Sequence, residues 1–355
     1  VSGLIHRVDE AAFLRLIRGE SRGPAASIAR LGLSFAGVIY GMGVAYRNAA
    51  YDSGRRSIYR PEIPVVSVGN LTLGGTGKTP MVEWVSRWYR ARGVRVAILS
   101  RGYGQDQGVN DEALVLEENL LDVPHLQGPD RADLARRAQE ELESQLLVLD
   151  DGFQHRRLAR DLDIVLLDAL DPFGLGRIFP RGLLREPVRS LRRAQIVVLS
   201  RADLVDPGTR STIRQEAERQ AGPLAWVEAR HAPVAVSATD GQSSDVAELA
   251  QKRVVAFCGI GNPEGFRRTL EPLCQSLLDF RTFADHHPYS ANDVTQLSLW
   301  AKSQGADLVL TTQKDSVKLR AMNLGSVPLR FLRIGLEVMT GESTLDAALG
   351  PLVPQ

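Results

Sequence analysis

Val65-Val-Ser-Val-Gly-Asn-Leu-Thr-Leu-Gly-Gly-Thr-Gly-Lys-Thr79 is the stretch on which the fold turns. Its apolar start, PVVSV (64–68), reads as a buried strand. The strand runs into Gly74-Gly75-Thr76-Gly77-Lys78-Thr79, and Pro80 then opens a helix. Proline suits a first helical turn, where its missing N–H costs nothing. Glycines let successive backbone amides wrap a phosphate, and the positive end of the helix adds to the attraction. In such a loop Lys78 reaches the β- and γ-phosphates of a nucleotide, and the Thr79 hydroxyl sits on Mg²⁺. Gly74, Gly75, Thr76, Gly77, Lys78 and Thr79 are therefore the expected nucleotide-binding set.

The loop departs from G-x-x-x-x-G-K-[ST] at its first position, which is Thr72. Its G-G-T-G-K-T core resembles the loops of partition ATPases and signal-recognition GTPases. Leu73, however, stands where those ATPases carry an extra lysine. Downstream, RVAILS (95–100), QLLVLDD (145–151), DIVLLDA (163–169) and AQIVVLS (194–200) read as further buried strands. Amphipathic stretches, Met81–Arg92 and Arg131–Glu143 among them, lie between. Apolar runs without alternation, separated by helices, predict a mostly parallel sheet covered on both faces.

A second α/β series starts near Arg253, where RVVAFCGIG (253–261) reads as strand and glycine-rich turn before a helix at Pro263. Leu277–Phe283, Asp307–Thr312 and Leu329–Ile334 supply its other strands. Ala232–Ala250, polar and helix-poor at first, reads as a linker. The expectation is an α/β chain in three parts. A helical, membrane-associated segment spans 1–60, a P-loop NTPase-like domain 61–235 and a smaller α/β domain 236–355.

The run QLLVLDDGFQH (145–155) ends a strand in Asp150-Asp151. With a phosphate loop upstream, the pair Asp150-Asp151 is expected to supply a carboxylate beside Mg²⁺. Net charge is +1, so no global field draws this chain to nucleic acid. Cys258 and Cys274 are too few for a disulfide framework or a zinc site, which suits a reducing cytosol. Val1–Gly23 is polar and mixed in charge, with no cleavable signal peptide evident.

Leu31 to Tyr46 (LGLSFAGVIYGMGVAY) carries no charge and is bracketed by Arg30 and Arg47. As a helix this run is about 24 Å long, short of the roughly 30 Å hydrocarbon core. Over residues 1–60 nine arginines face Asp9, Glu10, Glu20 and Asp52. That combination predicts partial insertion into an anionic membrane surface.

Further phrases follow in order: Ser67-Val-Gly-Asn70 before GGTGKTP, Ser100-Arg-Gly-Tyr-Gly104, Asp150-Asp-Gly-Phe-Gln-His155, Pro180-Arg-Gly-Leu-Leu-Arg-Glu-Pro187, Phe283-Ala-Asp-His-His287 and Thr311-Thr-Gln-Lys-Asp315. Together they resemble the motif series of the tetraacyldisaccharide 4'-kinase family over roughly residues 30–335. The resemblance implies transfer of phosphate from ATP, with Mg²⁺, to the 4'-hydroxyl of the lipid A precursor tetraacyldisaccharide 1-phosphate, giving lipid IVA. It also implies two α/β domains with the active site between them. The enzyme would sit on the cytoplasmic face of the bacterial inner membrane, peripheral or monotopic.

By matching positions, the resemblance makes Asp111 the catalytic carboxylate, helped by His286 or His287, with Lys78 on the phosphates, Asp150 the Mg²⁺ partner with Thr79, and Asp151 behind it in the nucleotide site or toward the substrate. A sugar hydroxyl is a poor nucleophile, and a carboxylate that accepts its proton makes chemical sense. Arg185, Glu186 and Arg101 are implied substrate contacts. Around Asp111, Asn110 and Ala113 replace the family's Gly and Pro; Gln313 replaces its Glu. His155 reads as a nucleotide contact or a turn cap, and Arg131, Arg136 and Arg137 as a solvated helix face. One alternative is a GTPase or metallochaperone-like switch, since Ser200-Arg-Ala-Asp203 resembles the guanine-reading [NT]-K-x-D phrase. Another is a membrane-associated binding protein whose nucleotide is structural.

Overall fold

The computed structural model describes residues 10–102, 111–238, 242–285, 287–319 and 327–354. In chain order the first elements are α1 (Glu10–Arg18), α2 (Pro24–Asp52), β1 (Val65–Asn70), α3 (Lys78–Arg90), β2 (Val96–Ser100) and α4 (Asp111–Asn119). Next come β3 (His125–Gln127), α5 (Arg131–Glu140), β4 (Leu146–Asp150), β5 (Leu162–Asp168), β6 (Ile196–Ser200) and α6 (Pro207–Ala221). Then follow β7 (Ala225–Ser237), β8 (Ser243–Ser244), β9 (Arg253–Cys258), α7 (Pro263–Leu270), β10 (Ser276–Thr282) and α8 (Ala291–Ser303). The last are β11 (Leu308–Thr312), α9 (Gln313–Leu319), β12 (Leu329–Thr340) and α10 (Glu342–Leu349).

The chain forms two compact units. The first comprises Val1–Arg101, Leu126–Arg230 and Val338–Gln355; the second comprises Gly102–His125 and His231–Glu337. Against the linear division expected from sequence, an early excursion joins the second unit and the C-terminal tail returns to the first. The return has a physical cause: Tyr89 Oη donates to the Leu349 carbonyl (3.0 Å) and Trp88 Nε1 to Asp346 (2.7 Å). Such long-range bonds leave no local mark on the sequence. Nor is 232–250 a linker. Residues up to Ser237 complete β7, and Val236 and Ser237 pair antiparallel with Ser244 and Ser243 of β8. β7 mixes buried and open positions and carries Glu228, Arg230 and His231, so it offers no continuous apolar run for sequence reading to find.

In the first unit the strands run β7-β6-β5-β1-β4-β2-β3. The pairings β1–β4, β1–β5, β2–β4, β5–β6 and β6–β7 are all parallel. β1, β2, β4 and β6 are buried along their whole length, as expected of strands covered on both faces. β4 inserts between β1 and β2, and β5 crosses to the other side of β1. The carboxyl ends of β1, β4 and β5 therefore meet at the point where the connections diverge, the usual crevice for ligands in such sheets. In the second unit β10-β9-β11-β12 are likewise parallel. Its helix α8 starts on a capping box between Ser290 and Asp293.

α2 is longer than the apolar run foresaw: 29 residues, about 44 Å at 1.5 Å per residue. Pro24 at its first turn starts it. Only Gly37, Val44 and Ala50 are buried along it. Ile28, Leu31, Phe35, Val38, Ile39, Met42 and Tyr46 are all more than half exposed. Their spacing of three and four residues gathers them into one apolar stripe. A core helix would hide such a stripe.

Candidate active site around the phosphate loop

Two glycines set the distance between β1 and the turn after β4. A Cβ on Gly69 would lie 2.6 Å from Phe153 Cβ, and one on Gly152 would lie 2.5 Å from Ser67 Oγ. With both bare, Asp150-Asp151 come alongside the loop that leaves β1. Inside that loop Gly74 (φ 116°) and Gly77 (φ 87°) take left-handed backbone, which a side chain would oppose. Buried Asn70 donates to Thr76 Oγ1 (3.0 Å). The Leu73 amide donates to the Leu183 carbonyl and the Arg185 amide to the Leu71 carbonyl, each at 2.8 Å. From the end of β6, Ser200 Oγ donates to the Thr76 carbonyl (2.7 Å) and Arg201 Nη2 to the Gly75 carbonyl (2.9 Å). The loop's carbonyls are thus tied to protein. Among the described residues, none of the Gly74, Gly75, Thr76 and Gly77 amides is. These four donors are left for an anion.

Lys78 and Thr79 begin α3 and are nearly enclosed, Lys78 with 12% and Thr79 with 8% of its surface open. Lys78 Nζ stands 3.7 Å from Asp151 Oδ1, and Arg185 Nη1 donates to both Asp151 oxygens at 2.9 and 2.8 Å. Burial pushes the Asp151 carboxyl up. Lys78, Arg185 and Arg131 together outweigh it and hold the group below the ordinary carboxylate range. Asp151 is therefore charged at neutral pH, and it fixes two cations, Lys78 and Arg185, beside the loop. Arg185, expected on substrate, is found on this carboxylate. Asp150 (9% exposed) and the Thr79 hydroxyl offer oxygen donors at the end of β4 and the start of α3. Hard oxygen ligands of this kind, one carboxylate and one hydroxyl, fit Mg²⁺ that keeps phosphate and water as its other ligands.

Arg131 overturns the reading of a solvated face. It is 6% exposed at the start of α5, and its Nη1 lies 3.4 Å from His155 Nδ1. Burial lowers the pKa of His155 to about 4, helped by Arg131 and Arg160, so this imidazole is neutral. Arg136 is solvated as expected, pairing with Asp133 at the surface. Glu186 also differs from expectation. Its side chain has no exposed surface, and its oxygens accept from Arg47 (3.0 Å), Asn48 (3.1 Å) and Arg193 (2.9 Å). It clasps α2 and is closed to substrate. Arg101 follows β2 and is exposed.

The guanine-reading alternative also finds another explanation. Arg201, with left-handed φ of 55°, bonds Asp168 and the Gly75 carbonyl, so the Ser200-Arg201 pair braces the phosphate loop. Asp203 lies exposed in the following turn.

In the second unit Asp111 opens α4, with its side chain outside the described residues, as are Tyr103, Asn110 and His286. His287 is held at Nε2 by Asp293 Oδ2 (3.3 Å) and packs between the Phe283 and Tyr289 rings. Asp315, fully buried, accepts from the Gly259 amide (3.0 Å), Tyr289 Oη (3.0 Å) and Thr312 Oγ1 (2.6 Å). It thereby ties the glycine-rich turn after β9 to the segment that carries His287. Gln313 Nε2 donates to Glu118 Oε2 (2.7 Å) and Asn119 Oδ1 (2.8 Å), which anchors α4. A Glu at 313 would set a second carboxylate against Glu118; the amide removes that conflict. Sequence reading missed Asn70, Arg131, Arg201 and Asp315 as site builders. For Asn70, Arg201 and Asp315 the signal was present, since all three fall inside quoted motifs.

A parallel sheet whose first strand turns through an amide-lined glycine loop into Lys78-Thr79, with an acidic pair at the end of the adjacent strand, defines a P-loop nucleotide-binding protein. Within that class, the chain belongs to the tetraacyldisaccharide-1-P 4'-kinase family, whose model matches residues 29–352. It is 42% identical to the tetraacyldisaccharide 4'-kinase of Anaeromyxobacter sp. (strain K), over 93% of this chain and 92% of that protein. It is 38% identical to that of Syntrophus aciditrophicus, over 86% of this chain and 88% of that protein. Among solved structures it is similar to LpxK from Aquifex aeolicus in complex with ATP. That match has a TM-score of 0.74 and 28% identity, and covers 92% of this chain and 100% of that one. The resemblance drawn from the motifs is borne out, and so is the mostly parallel α/β fold.

Proposed function

We propose that this chain transfers the γ-phosphate of ATP to the 4'-hydroxyl of tetraacyldisaccharide 1-phosphate, giving lipid IVA at the cytoplasmic face of the inner membrane. The observation that carries the reading is the cage of donors around Asp151. Lys78 and Arg185 are held beside four loop amides that have no protein partner among the described residues, in a member of a lipid-kinase family. In the loaded enzyme those amides receive the phosphate oxygens, and Lys78 follows the charge onto the β- and γ-phosphates. Thr79 and Asp150 would hold Mg²⁺, which would neutralise charge on the phosphates. Asp111 accepts the proton of the 4'-hydroxyl, and His286 or His287 orients that carboxylate for in-line attack. Functionally, the unit built around the phosphate loop carries the donor, and the other unit supplies the histidines. The segment 1–60 docks on the membrane through the apolar stripe of α2, as a monotopic anchor or a peripheral one.

The test is transfer of labelled γ-phosphate to tetraacyldisaccharide 1-phosphate in detergent micelles, comparing wild type with Lys78→Ala and Asp111→Asn. A phospholipid product that disappears in both variants, with ATP binding kept in Asp111→Asn, is the expected result. ATP hydrolysis that needs no acceptor and yields no lipid product would overturn the proposal.

A further inference from the structure

Between α2 and the segment 177–193 lies a groove of about 820 Å³. One wall is apolar. Gly37 and Gly41 let α2 approach Ile178, and an added Cβ would stand 3.2 Å from the Ile178 carbonyl oxygen or 3.4 Å from its Cδ1 respectively. Val38 and Met42 belong both to this wall and to the open stripe of α2, at 61% and 67% exposure. The other wall is cationic, built from Arg177, Arg181, Arg189, Arg192 and Arg193. Asp52 is the one acid among the lining residues, and Arg156 already holds it at 2.7 Å.

The arginines are not equivalent. Arg193 is engaged by Glu186 and lies over the Phe153 ring, and Arg181 donates to the Ile17 carbonyl. Among the described residues the side chains of Arg177, Arg189 and Arg192 have no hydrogen-bond or ion-pair partner, and all three residues are exposed. Five arginines around one carboxylate, which Arg156 already holds, repel one another on balance, and an anion from outside relieves that repulsion. Guanidinium groups match phosphate oxygens in shape as well as charge. An apolar wall facing a cationic one fits an amphiphile that bears a phosphate. Because the groove shares residues with the lipid-facing stripe, its occupant arrives along α2 from the lipid phase.

We infer that this groove binds one anionic phospholipid of the host bilayer, its phosphate among Arg177, Arg189 and Arg192 and its acyl part along Gly37, Val38, Gly41 and Met42. The inference rests on the proposed insertion of α2. It adds a headgroup-selective site to the anchor that α2 provides.

The experiment uses the full chain and lipid nanodiscs of phosphatidylcholine alone or mixed with phosphatidylglycerol. Dihexanoyl phosphatidylglycerol, below its micelle concentration, serves as soluble competitor. Wild type should prefer the phosphatidylglycerol discs, and the short lipid should saturate at one per chain. Arg189→Gln/Arg192→Gln should lose about thirtyfold of that preference while keeping its affinity for phosphatidylcholine. Arg214→Gln/Arg219→Gln removes the same charge from exposed α6 and should change little. An unaltered preference in the groove variant, an equal loss in the α6 control, or a short lipid that never saturates would each overturn the inference. So would a raised KM for the tetraacyl substrate with phosphatidylglycerol binding unchanged, because the groove would then hold the substrate's own phosphate. Failure of the anchor itself looks different: Leu31→Asp/Phe35→Asp would bind phosphatidylcholine discs as well as wild type.

Discussion

Replacing Glu186 by Gln tests whether α2 is fastened to the phosphate-loop unit by charge. The native carboxylate is wholly buried and accepts from Arg47, Asn48 and Arg193. Glutamine keeps the shape but retains one acceptor oxygen, and its amide must face a donor. Breaking a buried ion pair costs about 3–5 kcal/mol. Arg47 is 34% exposed and Arg193 17%, so water recovers part of that, as it does for surface pairs. A loss of about 2–4 kcal/mol remains, roughly 4–16 °C in melting temperature for a unit of this size. Thermal unfolding in neutral detergent reads it, and limited proteolysis within α2 should accelerate in parallel. A double-mutant cycle with Arg193→Met supplies the control: removing the stranded cation should return more than 1 kcal/mol of the loss. If Glu186→Gln melts within a degree of wild type, or if the two changes simply add, the clasp is not electrostatic and the reasoning fails.

Gly69→Ala would drive a methyl to 2.6 Å from Phe153 Cβ and 2.8 Å from its amide nitrogen. Overpacking of about 1–3 kcal/mol should part the loop from Asp151 and weaken ATP binding more than about tenfold; titration with wild-type affinity would refute it. Burial lowers the pKa of His125, as of His155, to about 4. With the folded value below the ordinary 6.5, stability present above that pH is lost as pH falls toward 4, about 3 kcal/mol at most for His125. Urea melts of wild type and His125→Gln between pH 7.5 and 4.5 should therefore converge on the acid side; parallel curves would contradict the assignment. Gln313→Glu should place a carboxylate where an amide now lies 2.7 Å from Glu118. A loss of about 1–2 kcal/mol at pH 7 that shrinks near pH 4 is expected, with no pH dependence as the refuting result.

Much of this was legible in the chain. Each strand named from an apolar run formed within two residues of its expected start, because a buried parallel strand needs an unbroken apolar run and little else can use one. The phosphate loop was legible for a related reason: backbone that wraps an anion demands glycine at fixed places, followed by a helix start. The stripe on α2 was half legible. Its uncharged core was visible, but polar flanks extend the helix to 29 residues. Arg131 was misread because its neighbours Arg136 and Arg137 are solvated, and helical periodicity cannot rank arginines by burial.

Local pattern thus determined the class of fold, the phosphate loop and its acidic pair, since each is a short-range demand of backbone geometry or of desolvation. Tertiary structure alone decided that Glu186 clasps α2, that Arg201 braces the loop and that Arg131 is buried against His155. It also decided that residues 102–125 and 338–355 leave the sequence order of the units. In each of these the partners stand tens to hundreds of residues apart. Whether a charged side chain meets solvent, substrate or another side chain is fixed by packing, and the residue types alone are compatible with all three.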